Sequence, residues 1–138
     1  MRVGINGFGR IGRLVFRALW GRPGIEIVHV NDCAGDAAAA AHLLGFDSVH
    51  GRWTPTIKST TTGFLVDNHQ VRYTCENNPT VAPWTETGVE MLLECSGQFK
   101  EPEILESIYE KAKLEQIVVA CPVKGHINNM EILNVVYG

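Results

Sequence analysis

One segment near the start of this 138-residue chain constrains its fold more than any other. Residues 2–6 (RVGIN) are mostly apolar and lead directly into a glycine-rich turn, which is typical of a buried strand. The turn, 7–12 (GFGRIG), opens a stretch at 10–20 in which apolar residues recur at helical spacing and the arginines fall on the other side. This order predicts the first part of a strand–helix–strand unit in a parallel sheet.

The three glycines of this turn have the spacing GxGxxG, which predicts a site for the phosphates of a dinucleotide. Gly7 permits the tight turn, Gly9 lets backbone N–H groups approach a pyrophosphate, and Gly12 lets the helix pack closely against the strand. The helix N-terminus adds N–H donors and a partial positive charge. The spacing alone is a weak signal, because a glycine-rich turn serves many strand–helix junctions.

The context of the motif favours a dinucleotide over a simple turn. A second strand is predicted at 25–30, and it ends at Asn31 and Asp32. Asp32 lies where a carboxylate accepts hydrogen bonds from an adenosine ribose, and its charge would repel a 2′-phosphate, so we expect NAD rather than NADP. Two alternatives stay open, namely a turn or helix-cap role for Asp32 and a solvated or subunit-contacting role for Arg10.

The rest of the chain alternates between strand and helix patterns, which predicts an α/β fold. We expect a Rossmann-type open, mostly parallel sheet with helices on both faces and a small antiparallel meander hanging off it. We expect loops at 45–53 and 76–87. The further predicted elements are helices at 35–44 and 101–112, the meander at 54–74, and strands at 89–95, 117–121 and 133–137.

Composition excludes several classes of function. The length suits one domain, and the net charge of −3 offers no basic surface for nucleic acid or for a membrane. No apolar run is long enough to span a bilayer and no signal peptide is recognised, so we expect a cytoplasmic protein. The four cysteines have neither CxxC nor zinc spacing, so we expect no metal site and buried or incidental thiols.

Several segments, in one order, carry a family resemblance: GINGFGRIGR, FDSVHGRW, LECSGQFK, VVACPVKG and LNVVYG. The chain closely resembles the N-terminal half of glyceraldehyde-3-phosphate dehydrogenase, over essentially all of 1–138. The stretch 34–53 looks most like the bacterial branch found with arsenate resistance. The resemblance implies that NAD is the cofactor and that 1–138 is an NAD-binding domain.

The resemblance also implies which residues contact the cofactor. In the family, Ala120 stands where a serine often contacts NAD, and Asn77 stands where an arginine often lies beside the adenine, so both contacts are in doubt. For Ser96, Gly97 and Phe99, spacing alone indicates only a turn after a strand. The expected cofactor-binding residues are Gly7, Gly9, Arg10, Ile11, Gly12, Asn31, Asp32, Ser96, Gly97, Phe99 and Ala120.

The chemistry that the resemblance implies is not provided by this sequence. The family's cysteine nucleophile lies in a Ser-Cys-Thr-Thr-Asn-Cys motif, which does not occur here. Cys121, near Lys124 and His126, is the best substitute on general grounds, but we expect it to be a buried thiol. Cys95 is expected in the cofactor groove, where its reaction would block NAD. We therefore expect no catalytic residue, and leave open whether the chain alone is an enzyme.

Three hypotheses follow. The first is an NAD-binding half of a glyceraldehyde-3-phosphate dehydrogenase that does not turn over substrate by itself, since the family's catalytic domain is absent. The second is a truncated interaction or oligomerisation module without a working cofactor site, because apolar surface normally covered by that domain would favour self-association. The third is a part of an intact enzyme, including an erythrose-4-phosphate or an arsenate-linked dehydrogenase.

Overall fold

The computed structural model describes residues 1–47, 51–120 and 132–134, and its strands and helices follow the predicted order. The helices are α1 (Arg10–Leu19), α2 (Ala37–Gly45) and α3 (Pro102–Lys111), with a 3₁₀ turn at Pro79–Val81. The strands are β1 (Arg2–Asn6), β2 (Glu26–Asn31), β3 (Phe46–Asp47), β4 (Gly51–Arg52), β5 (Ile57–Ser59), β6 (Gly63–Val66), β7 (His69–Thr74), β8 (Met91–Glu94), β9 (Gln116–Val119) and β10 (Ile132–Asn134).

Eight of these strands form one sheet in the order β10-β9-β8-β1-β2-β7-β6-β5. The pairs from β10 to β7 are parallel, and β6 and β5 continue the sheet antiparallel. The chain passes from β1 through α1 to β2 on one side, whereas β8 lies on the other side of β1. The strand order therefore reverses beside β1, and ligands of open α/β sheets bind at such a switch point, beyond the carboxyl ends of the strands.

Helices cover both faces of the sheet, which confirms the predicted Rossmann-type architecture. On one face, Phe16 of α1 and Leu44 of α2 pack with Val3 and Ile5 of β1 in one buried cluster. On the other face, α3 contributes residues to a second cluster around Trp84. Each cluster removes a continuous apolar surface from water, at about 25 cal/mol per Å² of area buried.

Helix α2 begins where the sequence provides a cap. The Asp36 carboxylate accepts a hydrogen bond from the N–H of Ala39 at 2.8 Å, satisfying a donor that the first turn leaves unpaired. Five consecutive alanines then supply the highest helix propensity. The helix is thus stabilised locally even though its exposed face makes few contacts.

Two details differ from the sequence-based expectations, and two other expectations fall outside the described residues. The meander does not hang off the sheet, because β7 pairs in parallel with β2 and makes β5–β7 the continuous edge of the same sheet. The expected loop at 45–53 contains the antiparallel pair β3–β4, which is too short to carry an alternating pattern. The proposed thiol Cys121 and most of the expected strand 133–137 lie outside the described residues.

Candidate functional site

A cleft of about 420 Å³ lies at the carboxyl ends of the central parallel strands. Its walls come from the segments that follow β1, β2, β7 and β8. The lining residues are Asn6, Gly7, Gly9, Asn31, Asp32, Cys33, Ala34, Glu76, Asn77, Cys95, Ser96, Gln98 and Phe99.

Glycine stands at each of the three motif positions for a different structural reason. Gly7 has φ +94°, and a Cβ there would lie 2.5 Å from the Ser96 backbone nitrogen. A Cβ on Gly12 would collide with the Gly7 carbonyl oxygen. A Cβ on Gly9 would meet nothing within 4 Å, so this position faces open space in the cleft. Gly7 and Gly12 therefore shape the loop, whereas Gly9 leaves room for a ligand.

The N-terminus of α1 lies at the cleft, and no side chain caps it. Gly9 is the N-cap residue, and no side chain caps the helix. The first-turn N–H groups, including those of Arg10 and Ile11, have no partner inside a helix by geometry. Together with the partial positive charge of the helix end, they form a donor set suited to a pyrophosphate.

Asp32 ties the glycine loop to the end of β2. Its carboxylate accepts hydrogen bonds from the N–H groups of Phe8 and Ala34, the second at 2.6 Å. A carboxylate offers about four lone-pair positions, so acceptor capacity remains for the two hydroxyls of a ribose. The Asp32 backbone is also fixed, since its N–H donates to the Thr74 carbonyl oxygen at 3.0 Å.

Beneath the cleft, a buried hydrogen-bond network links four adjacent strands. The Asn6 amide donates to Glu94 Oε1 and accepts from Asn31, both at 2.9 Å. The Asn31 amide also donates to the Glu76 carbonyl oxygen and accepts from the Thr74 hydroxyl and the Glu76 N–H. Both N–H groups and both lone pairs of the Asn31 amide are then used. The Asn31 side chain thus holds the cleft floor in place.

His29 extends this network, and the chain of donors fixes its tautomer. The Thr74 hydroxyl donates its proton to Asn31, so at 2.9 Å it accepts from the Nε2–H of His29. With Nε2 protonated, Nδ1 of the neutral ring can only accept, and the Thr87 hydroxyl lies 2.8 Å from it and 3.2 Å from its other acceptor, the Trp84 carbonyl oxygen. The ring is fully buried against Trp84. Burial, together with the charge of Arg72, lowers the pKa of His29 to about 4, and the ring stays neutral at neutral pH.

Glu94 is the buried carboxyl at the other end of the network. Its oxygens accept from the Asn6 amide, from the Ser96 N–H at 3.1 Å and from the Ser96 hydroxyl at 2.6 Å. Burial raises the pKa of Glu94, and the hydrogen bonds from Ser96 and Asn6 partly oppose that rise. Glu94 therefore fixes the turn after β8, from which Ser96 and Phe99 reach the cleft.

The structure brings together part of the predicted cofactor-binding set. Gly7, Gly9, Asn31, Asp32, Ser96 and Phe99 line the cleft. The other predicted residues lie beside it: Arg10, Ile11 and Gly12 form the first turn of α1, and Gly97, with φ +72°, makes the turn after β8. Ala120 follows β9, and its N–H donates to the Glu94 carbonyl oxygen at 2.9 Å, which leaves only its carbonyl group for a ligand.

The sequence patterns did not predict the buried hydrogen-bond network or several of the residues that line the cleft. Asn6, Glu76 and Gln98 line the cleft, and Glu94 supports it from below. A signal was available, since β1, β2 and β8 each end in a polar residue after mostly apolar residues. Polar residues at those positions of a parallel sheet meet at one edge, where ligands bind. Cys95 lies in the cleft as expected.

A parallel sheet with a glycine loop, an uncapped helix end and an acidic residue after the second strand defines a dinucleotide-binding domain of the Rossmann class. The profile of the family described as "Glyceraldehyde 3-phosphate dehydrogenase, NAD binding domain" matches residues 1–102. The chain therefore belongs to the family of NAD-binding domains of glyceraldehyde 3-phosphate dehydrogenase, and NAD is its cofactor.

Similar proteins agree with this assignment. The chain is 47% identical over 138 residues to glyceraldehyde-3-phosphate dehydrogenase 3 of Nostoc sp., covering 100% of this chain and 39% of that protein. It is 38% identical over 126 residues to the enzyme of Thermotoga maritima (90% and 37%) and 42% identical over 124 residues to the cytosolic enzyme of Leishmania mexicana (90% and 37%). The chain thus spans less than two fifths of the length of these relatives.

The described residues contain neither a membrane-spanning helix nor a group of metal-binding side chains. Among the helices of the described residues, none has the length and apolarity needed to cross a membrane. In the same part of the chain, no three His, Cys, Asp or Glu side chains are grouped so that they could hold a metal ion.

Proposed function

We propose that the chain provides the NAD-binding part of an enzyme that oxidises glyceraldehyde 3-phosphate, with NAD as the hydride acceptor. The observation that carries this proposal is the convergence of the glycine loop, Asp32 and Ser96 on one cleft at the switch point of the sheet. The names of the relatives, all glyceraldehyde-3-phosphate dehydrogenases, support the substrate.

Each side of the cleft has its own part in holding the cofactor. We infer that Asp32 accepts hydrogen bonds from the adenosine ribose, and that the first-turn N–H groups of Arg10 and Ile11 donate to the pyrophosphate. Ser96 and Phe99 lie on the other side of β1, where the second half of a dinucleotide that spans the switch point would bind. The Glu94 network keeps this side in position.

We further propose that the aldehyde-reactive cysteine and the groups that bind the substrate phosphates belong to residues other than 1–138. The family's cysteine motif does not occur in this sequence. The domain then contributes cofactor binding and orientation to a reaction whose nucleophile lies elsewhere. Glyceraldehyde 3-phosphate is preferred over erythrose 4-phosphate, because the relatives carry this substrate in their names.

A spectrophotometric assay of the complete protein tests this function. NADH formation is measured with glyceraldehyde 3-phosphate and with erythrose 4-phosphate, each in phosphate and in arsenate buffer. The proposal expects a higher kcat/KM with glyceraldehyde 3-phosphate and NAD than with erythrose 4-phosphate, and the two buffers then show which anion serves as the acyl acceptor. A complete protein that turns over only erythrose 4-phosphate, or that uses no aldehyde, would contradict it.

An exposed apolar surface favours self-association as an additional property. Leu43 and Phe46, at the end of α2, have exposed fractions of 45% and 59%. We propose that this surface packs against another copy of the chain in the cytoplasm. Light scattering at increasing concentration should give a dimer or larger species, which Phe46→Asp weakens. Val81→Asp is the matched control, since Val81 is equally exposed at 57% but lies elsewhere; a clean monomer contradicts the proposal.

A further inference from the structure

Two cysteines meet at the edge of the cleft. Cys33 follows β2 and Cys75 follows β7, the two strands that pair in parallel. The Asp32 N–H donates to the Thr74 carbonyl oxygen at 3.0 Å, so each cysteine comes one residue after a directly bonded position. The Cys75 thiol lies close enough to Cys33 to raise the pKa of the Cys33 thiol, and both residues are exposed to solvent.

The backbone that carries each thiol is fixed on both sides. The Tyr73 hydroxyl lies 2.8 Å from the Asp32 carbonyl oxygen and 2.7 Å from that of Gly35, and it pins the turn that contains Cys33. The Asn31 amide holds both the N–H and the carbonyl group of Glu76, next to Cys75. Neighbouring strands lie about 4.8 Å apart, and the two cysteines each follow one member of the hydrogen-bonded pair Asp32 and Thr74, so their thiols start from adjacent backbone segments.

The surroundings of the Cys33 thiol determine how readily it reacts. Although Cys33 as a residue is exposed, partial desolvation of the thiol, its hydrogen bond with Cys75 and the charges of Asp32 and Glu76 raise the pKa of Cys33 to about 11. Little of the Cys33 thiol is ionised at neutral pH, so its attack on an oxidant is slow and accelerates with pH. A thiol with a raised pKa is also a poor leaving group, and a disulfide here would exchange slowly once formed.

We propose that Cys33 and Cys75 are a dithiol site that a small disulfide, such as glutathione disulfide, converts to an intramolecular disulfide at the mouth of the cleft. One cysteine thiolate attacks the small disulfide, forming a mixed disulfide and releasing one thiolate. The second cysteine thiolate then attacks the protein sulfur, forming the Sγ–Sγ bond and releasing the second thiolate. The two cysteines are oxidised, the small disulfide is reduced to two thiols, and the two protons pass to them.

The disulfide would act on the cofactor site through Asp32, a step that rests on the proposed NAD site. The sulfur atoms must approach to about 2.05 Å, which draws the turn after Asp32 toward β7 and away from the N–H of Phe8. We expect the disulfide form to bind NAD about tenfold more weakly. By linkage, bound NAD then favours the dithiol form by the same factor.

Peptide mapping of the oxidised wild-type chain tests the site. Cleavage after basic residues and glutamates leaves the four cysteines in separate peptides, 27–52, 73–76, 95–100 and 116–124. After incubation with glutathione disulfide at mildly alkaline pH, we expect 27–52 to be joined to 73–76, at about 2 Da below their summed masses. Separate glutathione adducts on the two peptides, or links only to other cysteines, would overturn the proposal.

Variants and a binding measurement separate this proposal from the cofactor proposal. Cys33→Ser and Cys75→Ser should each abolish the crosslink, whereas Cys95→Ser should leave it intact. Calorimetry then compares NAD binding by the dithiol and disulfide forms of the wild-type chain. Equal affinities overturn the link to the cofactor but leave the NAD site standing. Failure of both forms to bind overturns the NAD site, while the mapped crosslink still stands.

Discussion

The carboxylate of Asp32 accepts a hydrogen bond from the backbone N–H of Phe8, inside the glycine loop. One side chain thereby joins the end of β2 to the turn that precedes α1. The loop for the pyrophosphate and the acceptor for the ribose are positioned relative to each other before a ligand arrives. Such preorganisation lowers the ordering cost of binding.

Removing the Asp32 carboxylate should weaken NAD binding. We expect Asp32→Ala to cost about 1–3 kcal/mol of binding free energy, or about 5- to 150-fold in Kd, because the ribose loses its acceptor and the Phe8 N–H its partner. The preference for NAD over NADP should shrink in the same variant. Asp32→Asn, which keeps an acceptor oxygen, is the matched control and should lose less affinity. An unchanged Kd in Asp32→Ala would contradict the assigned role.

The three loop glycines should respond differently to alanine. Gly7→Ala and Gly12→Ala should lower the free energy of unfolding by more than about 1 kcal/mol, since one forces a positive φ and both create backbone contacts that are too close. A Cβ on Gly9 would enter open space, so Gly9→Ala should change the free energy of unfolding by less than about 1 kcal/mol. It should still weaken NAD binding, because the added methyl group occupies part of the cleft. Urea unfolding and NAD titration of the three variants measure both effects. Equal stability losses would show that Gly9 is structural.

The buried Glu94 should make stability fall as pH rises. Its folded-state pKa is raised, so the folded chain holds the proton more tightly than the unfolded chain; stability is full below the ordinary value of 4.5 and declines as pH rises from there toward the folded-state pKa. Glu94→Gln keeps an acceptor for Asn6 and Ser96 and should remove this decline. Glu94→Ala leaves those donors unpaired and should cost about 1–3 kcal/mol. A decline that persists in Glu94→Gln would contradict this account.

His29 should produce the opposite dependence between pH 6.5 and about 4. Because its folded-state pKa is lowered to about 4, only the unfolded chain gains the proton between pH 6.5 and that value. The stability that comes from the neutral ring is complete above pH 6.5, is lost as pH falls through this window, and amounts to about 3 kcal/mol. Urea unfolding at several pH values should show a smaller acid loss in His29→Gln than in wild type. An identical acid profile in both proteins would refute the assignment.

The sequence predicted the strands, the helix and the turn around the site better than the contacts between them. Strand, glycine turn, helix, second strand and Asp32 are local patterns, and each is found where it was expected. The join between β7 and β2 was missed because sheet pairing between segments some 40 residues apart leaves no periodic signal in either strand. The short pair β3–β4 was missed because two residues cannot display alternation.

The buried network shows why site chemistry is harder to predict than fold. Asn31 lines the cleft, as expected of a residue near the cofactor, and the hydrogen-bonding groups of its amide are all used by Asn6, Thr74 and Glu76. Whether a polar side chain at a strand end faces a ligand or a neighbour depends on which strands lie beside it. That order is a property of the whole sheet. The meeting of Cys33 with Cys75 depends on the same strand pairing.

Calorimetric titration of the folded chain with NAD and with NADP tests the central claim most directly. The glycine loop and Asp32 should give measurable binding of NAD, and NAD should bind more tightly than NADP because the Asp32 carboxylate repels a 2′-phosphate. Absence of binding by either dinucleotide, or tighter binding of NADP, would contradict the assignment of the cleft as an NAD site.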